Sequence, residues 1–442
     1  VRWLLVTLLG VSACVTTGAT GPKLTEREEA HLALQRGEGG KVVEQVDRMF
    51  AQHPDDLQLA RMVADAHVQA HTADALLAQL ATKDTAISHY LRGVVRFTRA
   101  AEAGGPAIDE FRRALELAPD EPEYAYRLGL ALVETEQYEA ALPPLRSATS
   151  RAPTRTSWCL PLAKALARTG DQKGAVDALR TVITGTPSAA EVKLARALMD
   201  QVVDPFSGVP QAARARLEQA LQWLEVGDVP QQAIVALEEL LQEFPDQAIV
   251  HSLLGLSYAR LDDAGRAVDE LQRAIELAPE DGRNHLYLAN LYLARQRAKS
   301  GLEHLQRAVD LNPMLDEAWL KLGDVSLERQ DYVSARQQFT VATRLDPTSI
   351  SAHGKLALVH QLEKNWPAAD RELHLVLDKD EENLEFQLRL GVLHTERFVA
   401  ARGAAEREEA AKEATRWLEK VLAAQPENAL ASRALERIKA PR

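Results

Sequence analysis

Two cysteines in 442 residues cannot build a disulfide framework or a zinc ribbon. Aromatic side chains are scarce at 5%, while alanine and leucine dominate, which favours helix–helix packing over a sheet. Positive charge is also in deficit. The formal net charge of −12 argues against non-specific binding to nucleic acid or to an anionic membrane surface, and leaves a basic or neutral partner as the easier one. The apolar run Trp3–Leu9 is too short to span a bilayer. No GxSxG, phosphate-binding GxxxxGK, GxGxxG or paired-cysteine motif occurs at usable spacing, so the sequence offers no enzyme, cofactor or small-molecule substrate.

What the chain does contain is repetition. From Ala248 to Pro347 it reads as consecutive units of 34 residues ending at Pro279, Pro313 and Pro347. Leu254-Gly255, Leu288-Ala289 and Leu322-Gly323 place a large residue before a small one. Ala267, Gly301 and Ala335 fill one small slot; Ala274, Ala308 and Ala342 fill another; Leu271, Leu305 and Phe339 fill a large one. Small residues let two helix backbones approach, and large ones fill the space between them. A closing proline cannot continue the second helix. One such pair cannot bury its own apolar face, so neighbours must stack.

This order of slots resembles the tetratricopeptide repeat, and Trp319 keeps the tryptophan of that signature. The resemblance covers roughly Leu24 to Lys439 and implies an all-α superhelical solenoid of antiparallel helix pairs, about ten to eleven repeats long. It is densest in Glu121–Pro187 and Ala248–Pro347, and weak in Asp55–Thr85 and Ser188–Pro210.

Residues 1–13 read as a secretory signal: Arg2, the apolar run, then Val11-Ser12-Ala13 before Cys14. The cysteine after small residues resembles a bacterial lipobox, which implies lipidation at Cys14 and two or more acyl chains, enough for stable anchoring. Val15, where aspartate favours inner-membrane retention in enterobacterial lipoproteins, points to an outer-membrane lipoprotein facing the periplasm. Residues 14–23 form a tether reaching roughly 30 Å at about 3.3 Å per residue. Residues 24–203 form a first repeat block and residues 204–210 (DPFSGVP) a breaker-rich loop. Residues 211–427 form a second block, and residues 428–442 a capping helix and tail with Asn428 as N-cap. Pro143-Pro144 inside a second helix predicts a kink or a late start. The step from Pro347 to Pro426 exceeds two repeats, and the surplus around Arg397–Lys412 predicts lengthened, solvated helices, with Glu406-Arg407-Glu408-Glu409 as solvated surface.

In the family that the repeats resemble, first helices line a concave groove that binds peptides. Carried over slot by slot, the groove would be lined by Tyr126, Leu130, Leu160 and Lys164 in the first block. In the second it would be lined by Leu256, Leu286, Asn290, Leu293, Leu320, Asp324, Leu327, Leu358, Leu388 and Val392, with Asn290 and Asp324 as polar handles. These leucines also suit packing within the stack. Only Asn290 matches the lysine–asparagine clamp of the chaperone-binding subset, so a carboxylate clamp is not expected. His67 and His71 share a helix face but lack the glutamate of HExxH and a third ligand, so no metal is expected. His251, His285 and His353 occupy the slot of Trp319 and read as packing residues; Cys159 reads as a buried small residue.

The resulting expectation is a protein-binding scaffold, lipid-anchored in the envelope of a Gram-negative-type bacterium, with a protein or peptide partner. Two further roles stay open: an assembly factor for a pilus, secretion, polysaccharide-export or motility machine, and an accessory activator of a cell-wall enzyme. An enzymatic role would need a site hidden in residues 188–211.

Overall fold

A computed structural model describes residues 24–99, 104–204, 206, 209–227 and 229–440. The signal segment, Cys14 and the tether lie outside the described residues. Those residues hold 24 α-helices and no strand. The chain divides into two compact units, Val1–Val202 and Val203–Arg442.

The first unit contains α1 (Glu26–Gln35), α2 (Val43–Gln52), α3 (Leu57–Gln69), α4 (Ala73–Leu80), α5 (Ala86–Arg99) and α6 (Gly104–Leu117). It continues with α7 (Pro122–Glu134), α8 (Tyr138–Arg151), α9 (Cys159–Arg168), α10 (Gln172–Thr184) and α11 (Ala189–Val202). The second unit contains α12 (Gln211–Glu225), α13 (Pro230–Glu243), α14 (Ala248–Arg260), α15 (Ala264–Leu277), α16 (Gly282–Ala294), α17 (Ala298–Leu311) and α18 (Asp316–Glu328). It ends with α19 (Tyr332–Leu345), α20 (Ile350–Leu362), α21 (Trp366–Leu377), α22 (Leu384–Ala400), α23 (Ala404–Ala424) and α24 (Ala429–Lys439). Consecutive helices form antiparallel pairs, eleven among the described residues, with α11 and α24 unpaired.

The helix starts are chemically marked. Asp56, Asp171, Asp263, Asp281, Asp331, Ser349, Asn383 and Asn428 each accept a first-turn backbone N–H, satisfying donors the helix cannot. In the pairs α7–α8, α9–α10, α14–α15, α16–α17, α18–α19 and α20–α21, the chain turns through one left-handed residue. Gly170 has φ +86°, and Glu136, Asp262, Gln296, Gln330 and Lys364 lie between +58° and +61°. In the α7–α8 turn Glu136 N–H donates to Val133 O and Gln137 N–H to Leu132 O, a Schellman closure, and Asp262 and Asp263 repeat it after α14. Only one of these six positions is glycine, so the others hold a conformation that their Cβ disfavours.

Close packing follows the slots read from the sequence. A methyl group at Gly323 would lie 2.3 Å from the Phe339 ring, and one at Gly129 would lie 2.4 Å from Leu145. Ala141, Leu145, Ala267, Leu271, Ala335 and Phe339 are fully buried. Pro143 and Pro144 do not delay α8, which runs unbroken from Tyr138 to Arg151. Two missing N–H donors are tolerated because Leu145 and Ala148 anchor the helix in the core. Helices α22 and α23 are lengthened as expected, and α24 lies on them with Ala431 and Ala434 buried.

The slot shared by Trp319 and three histidines does more than pack. Trp319 Nε1 donates to the Pro313 carbonyl at 2.9 Å, six residues back. His251 and His353 reach the carbonyls of Pro245 and Pro347 through Nε2, at 3.2 and 3.3 Å. Gln387 donates to Glu381 O at 2.7 Å. Each therefore satisfies a carbonyl in the loop between repeats that no helix can serve. The histidines use their other nitrogen on the second helix of the pair: His251 Nδ1 lies 2.6 Å from Glu270, and His353 Nδ1 2.7 Å from Glu372. In α16 the partner carboxylate is replaced by a second imidazole, and the Nδ1 atoms of His285 and His304 face each other at 2.9 Å.

Two outcomes are expected. Replacing Gln330 by glycine relieves the left-handed backbone and should stabilise the protein by about 0.5–1 kcal/mol, measured by thermal or urea unfolding. The second concerns the paired imidazoles. Burial, then the neighbouring His304 and Arg307, push His285 down from 6.5 to about 4, and burial also lowers His304. The unfolded chain thus takes up protons first as pH falls. The pair's contribution is complete above pH 6.5 and is lost as the pH drops towards about 4. His304→Glu restores the carboxylate found in the other clasps and should reverse the sign. Melting curves of both proteins between pH 7 and pH 4 check it; parallel losses would refute the pairing argument.

Candidate functional site

The first helices α16, α18, α20 and α22 present one face of the second unit. Polar bridges tie them in series. Asn290 Nδ2 donates to Glu317 at 3.0 Å, Lys355 pairs with Asp324, and Gln361 Nε2 donates to Glu396 at 2.8 Å. Each bridge joins a helix to the next first helix, fixing the spacing of the side chains between them. Asn290 Oδ1 is buried and has no hydrogen-bond partner.

The structure sorts the residues expected to line the groove. Leu130, Leu160 and Leu286 are buried, at 8%, 4% and 4% exposure, and are core side chains rather than groove walls. Their slots face the neighbouring first helix, where apolar area is removed from water. Leu293 is half-buried and lies across Gly301, in the space that a Cβ there would need. Leu256 is half-buried against the core of its unit, Leu320 and Leu327 against Phe339 and Leu356, and Leu388 against Leu418. Val392 is half-buried, and Leu358 is exposed at 40%. Asp324 is not a free handle, because Lys355 neutralises it. Leu362, which the slot-by-slot reading passed over, is 45% exposed one helical turn beyond Leu358, a spacing visible in the sequence.

In the first unit, Tyr126 is half-buried and stacks on Trp158 with ring centroids 4.4 Å apart and planes 7° apart. The Arg155 guanidinium lies over Trp158 at 4.8 Å. Arg155 also donates to Glu123 at 3.0 Å, as does Arg127 at 2.9 Å, with the Tyr90 hydroxyl at 3.3 Å. Glu123, Arg127 and Tyr90 are all buried. This network was not legible from the repeat pattern, because its members come from different repeats. Lys164 lies 3.7 Å from Glu134.

Cys159 is buried, and burial pushes its thiol up to about 11. His67 faces Asp47 at 3.2 Å and Thr72 at 2.8 Å. Among the described residues, no three or more His, Cys, Asp or Glu side chains gather as metal ligands, and no helix is long and apolar enough to cross a membrane.

Comparison with known proteins bears on this architecture. A tetratricopeptide repeat model matches residues 106–156, 224–282 and 286–350. No curated protein matches the chain. Among solved structures, Pseudomonas aeruginosa PilF is 20% identical, covering 50% of this chain and 96% of its own, with a TM-score of 0.42. PilW, described as a type IV pilus biogenesis factor, is 16% identical over 51% of this chain and 100% of its own, at 0.40. The Cut9–Hcn1 hetero-tetramer of the APC/C is 14% identical over 94% of this chain and 90% of the matched chain, also at 0.40. The matched segments fall on helix pairs that turn, close and pack in the 34-residue rhythm, and these segments are tetratricopeptide repeats.

Proposed function

We propose that this protein is a scaffold of the bacterial envelope, held by lipid at Cys14, that binds a partner polypeptide along the first helices of its second unit. The observation that carries the reading is the exposed pair Leu358 and Leu362 on one face of α20, with half-buried Leu327 and Val392 on the neighbouring first helices α18 and α22. Apolar side chains give a partner area to bury. The repeats supply rigidity, so little ordering of the receptor opposes binding. The lipobox-like Val11–Cys14 segment supports attachment, and Val15 supports an outer-membrane site facing the periplasm.

The double variant Leu358→Glu with Leu362→Glu should lose the partner that co-purifies with wild type from solubilised envelopes, while keeping its helical signal and melting temperature. Leu286→Glu serves as the contrast. It buries an unpaired carboxylate and should destabilise the protein by more than about 3 kcal/mol. A folded double variant that retains the partner would place binding elsewhere. For the anchor, Cys14→Ala should take up no labelled fatty acid and should leave the membrane fraction. Acylation of that variant would sink the lipoprotein reading.

A further inference from the structure

The surplus residues of the last helix pair build a feature the repeats elsewhere do not need. A cavity of about 570 Å³ lies between α21, α22 and α23. Its walls include Trp366, Asp370 and His374 from α21, His394 and Arg397 from α22, and Glu406, Glu409 and Glu413 from α23. Burial grades across it. His394 is 5% exposed, whereas the side chains of Glu406 and Glu409 are 46% and 64% exposed, which puts acidic groups at the mouth and an imidazole deep inside.

We propose that this pocket binds an organic cation, an alkylammonium or guanidinium group. Two independent observations lead there. The first is donor–acceptor chemistry. His394 Nε2 lies 3.0 Å from Asp370 Oδ1 and faces that carboxylate as a donor. In the neutral ring this leaves Nδ1 as a lone-pair acceptor, and that atom is buried with no hydrogen-bond partner. A buried acceptor of this kind can be satisfied by a ligand that brings N–H or O–H groups.

The second observation is charge. Four carboxylates line the cavity, against the guanidinium groups of Arg371 and Arg397. Arg397 is already held by Glu409 at 3.1 Å and Glu406 at 3.9 Å, and Glu413 lies 3.5 Å from Arg416 at the surface. The lining carboxylates outnumber the guanidinium groups four to two, and the His374 imidazole, raised by its hydrogen bond to Asp370, offsets one of them when protonated, so an incoming cation would balance the remainder. Trp366 adds an aromatic surface on which an alkyl chain or a guanidinium plane can lie. The volume falls within the range of small-ligand sites and exceeds what one amine needs, so the site fits a side chain or a short polyamine.

Asp370 connects the floor to its surroundings. Burial opposes its charge, but hydrogen bonds from His374 and His394 hold its carboxyl well below the usual range. It therefore stays anionic and keeps the proton on His394 Nε2. The nearby Trp417 ring packs edge-on against His374 at 5.8 Å, so its fluorescence can report on the site.

The test uses the full chain, titrated with Nα-acetyl-lysine amide, with putrescine, and with Nα,Nε-diacetyl-lysine amide as the uncharged control. Calorimetry and tryptophan fluorescence are the readouts. Saturable binding of at least one cation and none of the control is expected. The Glu409→Gln with Glu413→Gln variant should weaken binding about tenfold or more, since charge-assisted hydrogen bonds contribute on that order. His394→Phe keeps a ring in the same volume and removes the acceptor, so it should weaken binding while the helical signal persists. Lysine amide binding assigns the site to a protein side chain; putrescine binding alone assigns it to free amines. No saturable binding of either cation, or affinity unchanged in the folded glutamine variant, would overturn the proposal.

Discussion

Everything in this chain depends on two helix backbones coming closer than ordinary side chains allow. Gly323 faces Phe339 and Gly129 faces Leu145 so tightly that a single added methyl group would overlap its neighbour. That approach gives each pair a dry seam but leaves the outer faces of both helices apolar. Association with the next pair is then the remaining way to hide them. The fully buried residues Phe111, Leu145, Leu179, Leu237, Leu271, Leu305 and Phe339 mark the same large slot in successive pairs.

Dense packing creates a second demand, which is met by polar contacts between pairs. Loops joining repeats carry carbonyls that no helix can satisfy, and in four repeats one residue reaches back to them. Tryptophan, histidine and glutamine all do this in the same slot because each can place an N–H at that distance. Their exchange within one protein shows that the slot selects a donor of sufficient reach rather than a particular ring. Bridges across the first helices, such as Asn290 to Glu317, add a further set of ties between neighbouring pairs.

The repeat fold was legible in the sequence because a period of 34 residues reports local helix packing, and each slot sees the same surroundings each time. Asn428 was legible as a cap for the same reason, since capping is settled within three residues. The candidate site was legible only in part. Leu286 and Leu358 share the character of a groove leucine, yet one is buried and the other open, because exposure depends on the neighbouring helix. Asp324 looked available until Lys355, 31 residues on, came beside it. The acidic stretch at Glu406 read as plain solvated surface; its meaning depends on His394 and Asp370, which only the folded pair brings near. The clasps left a trace that could have been read, glutamate nineteen residues after histidine in two repeats.

The lengths of α22 and α23 bear on how such an array can grow. Helix α22 has 17 residues where α18 and α20 have 13, and α23 has 21 where α19 has 14. Those additions of four and seven residues are close to one and two whole turns at 3.6 residues per turn. Growth by whole turns returns each helix to its original phase, so the old contact face survives while new surface emerges beyond it. The extended pair also abandons the left-handed turn and passes through Ala401 with φ −62° instead. A repeat can thus be altered as a ruler is, by adding full divisions at its end, without disturbing the marks already in use.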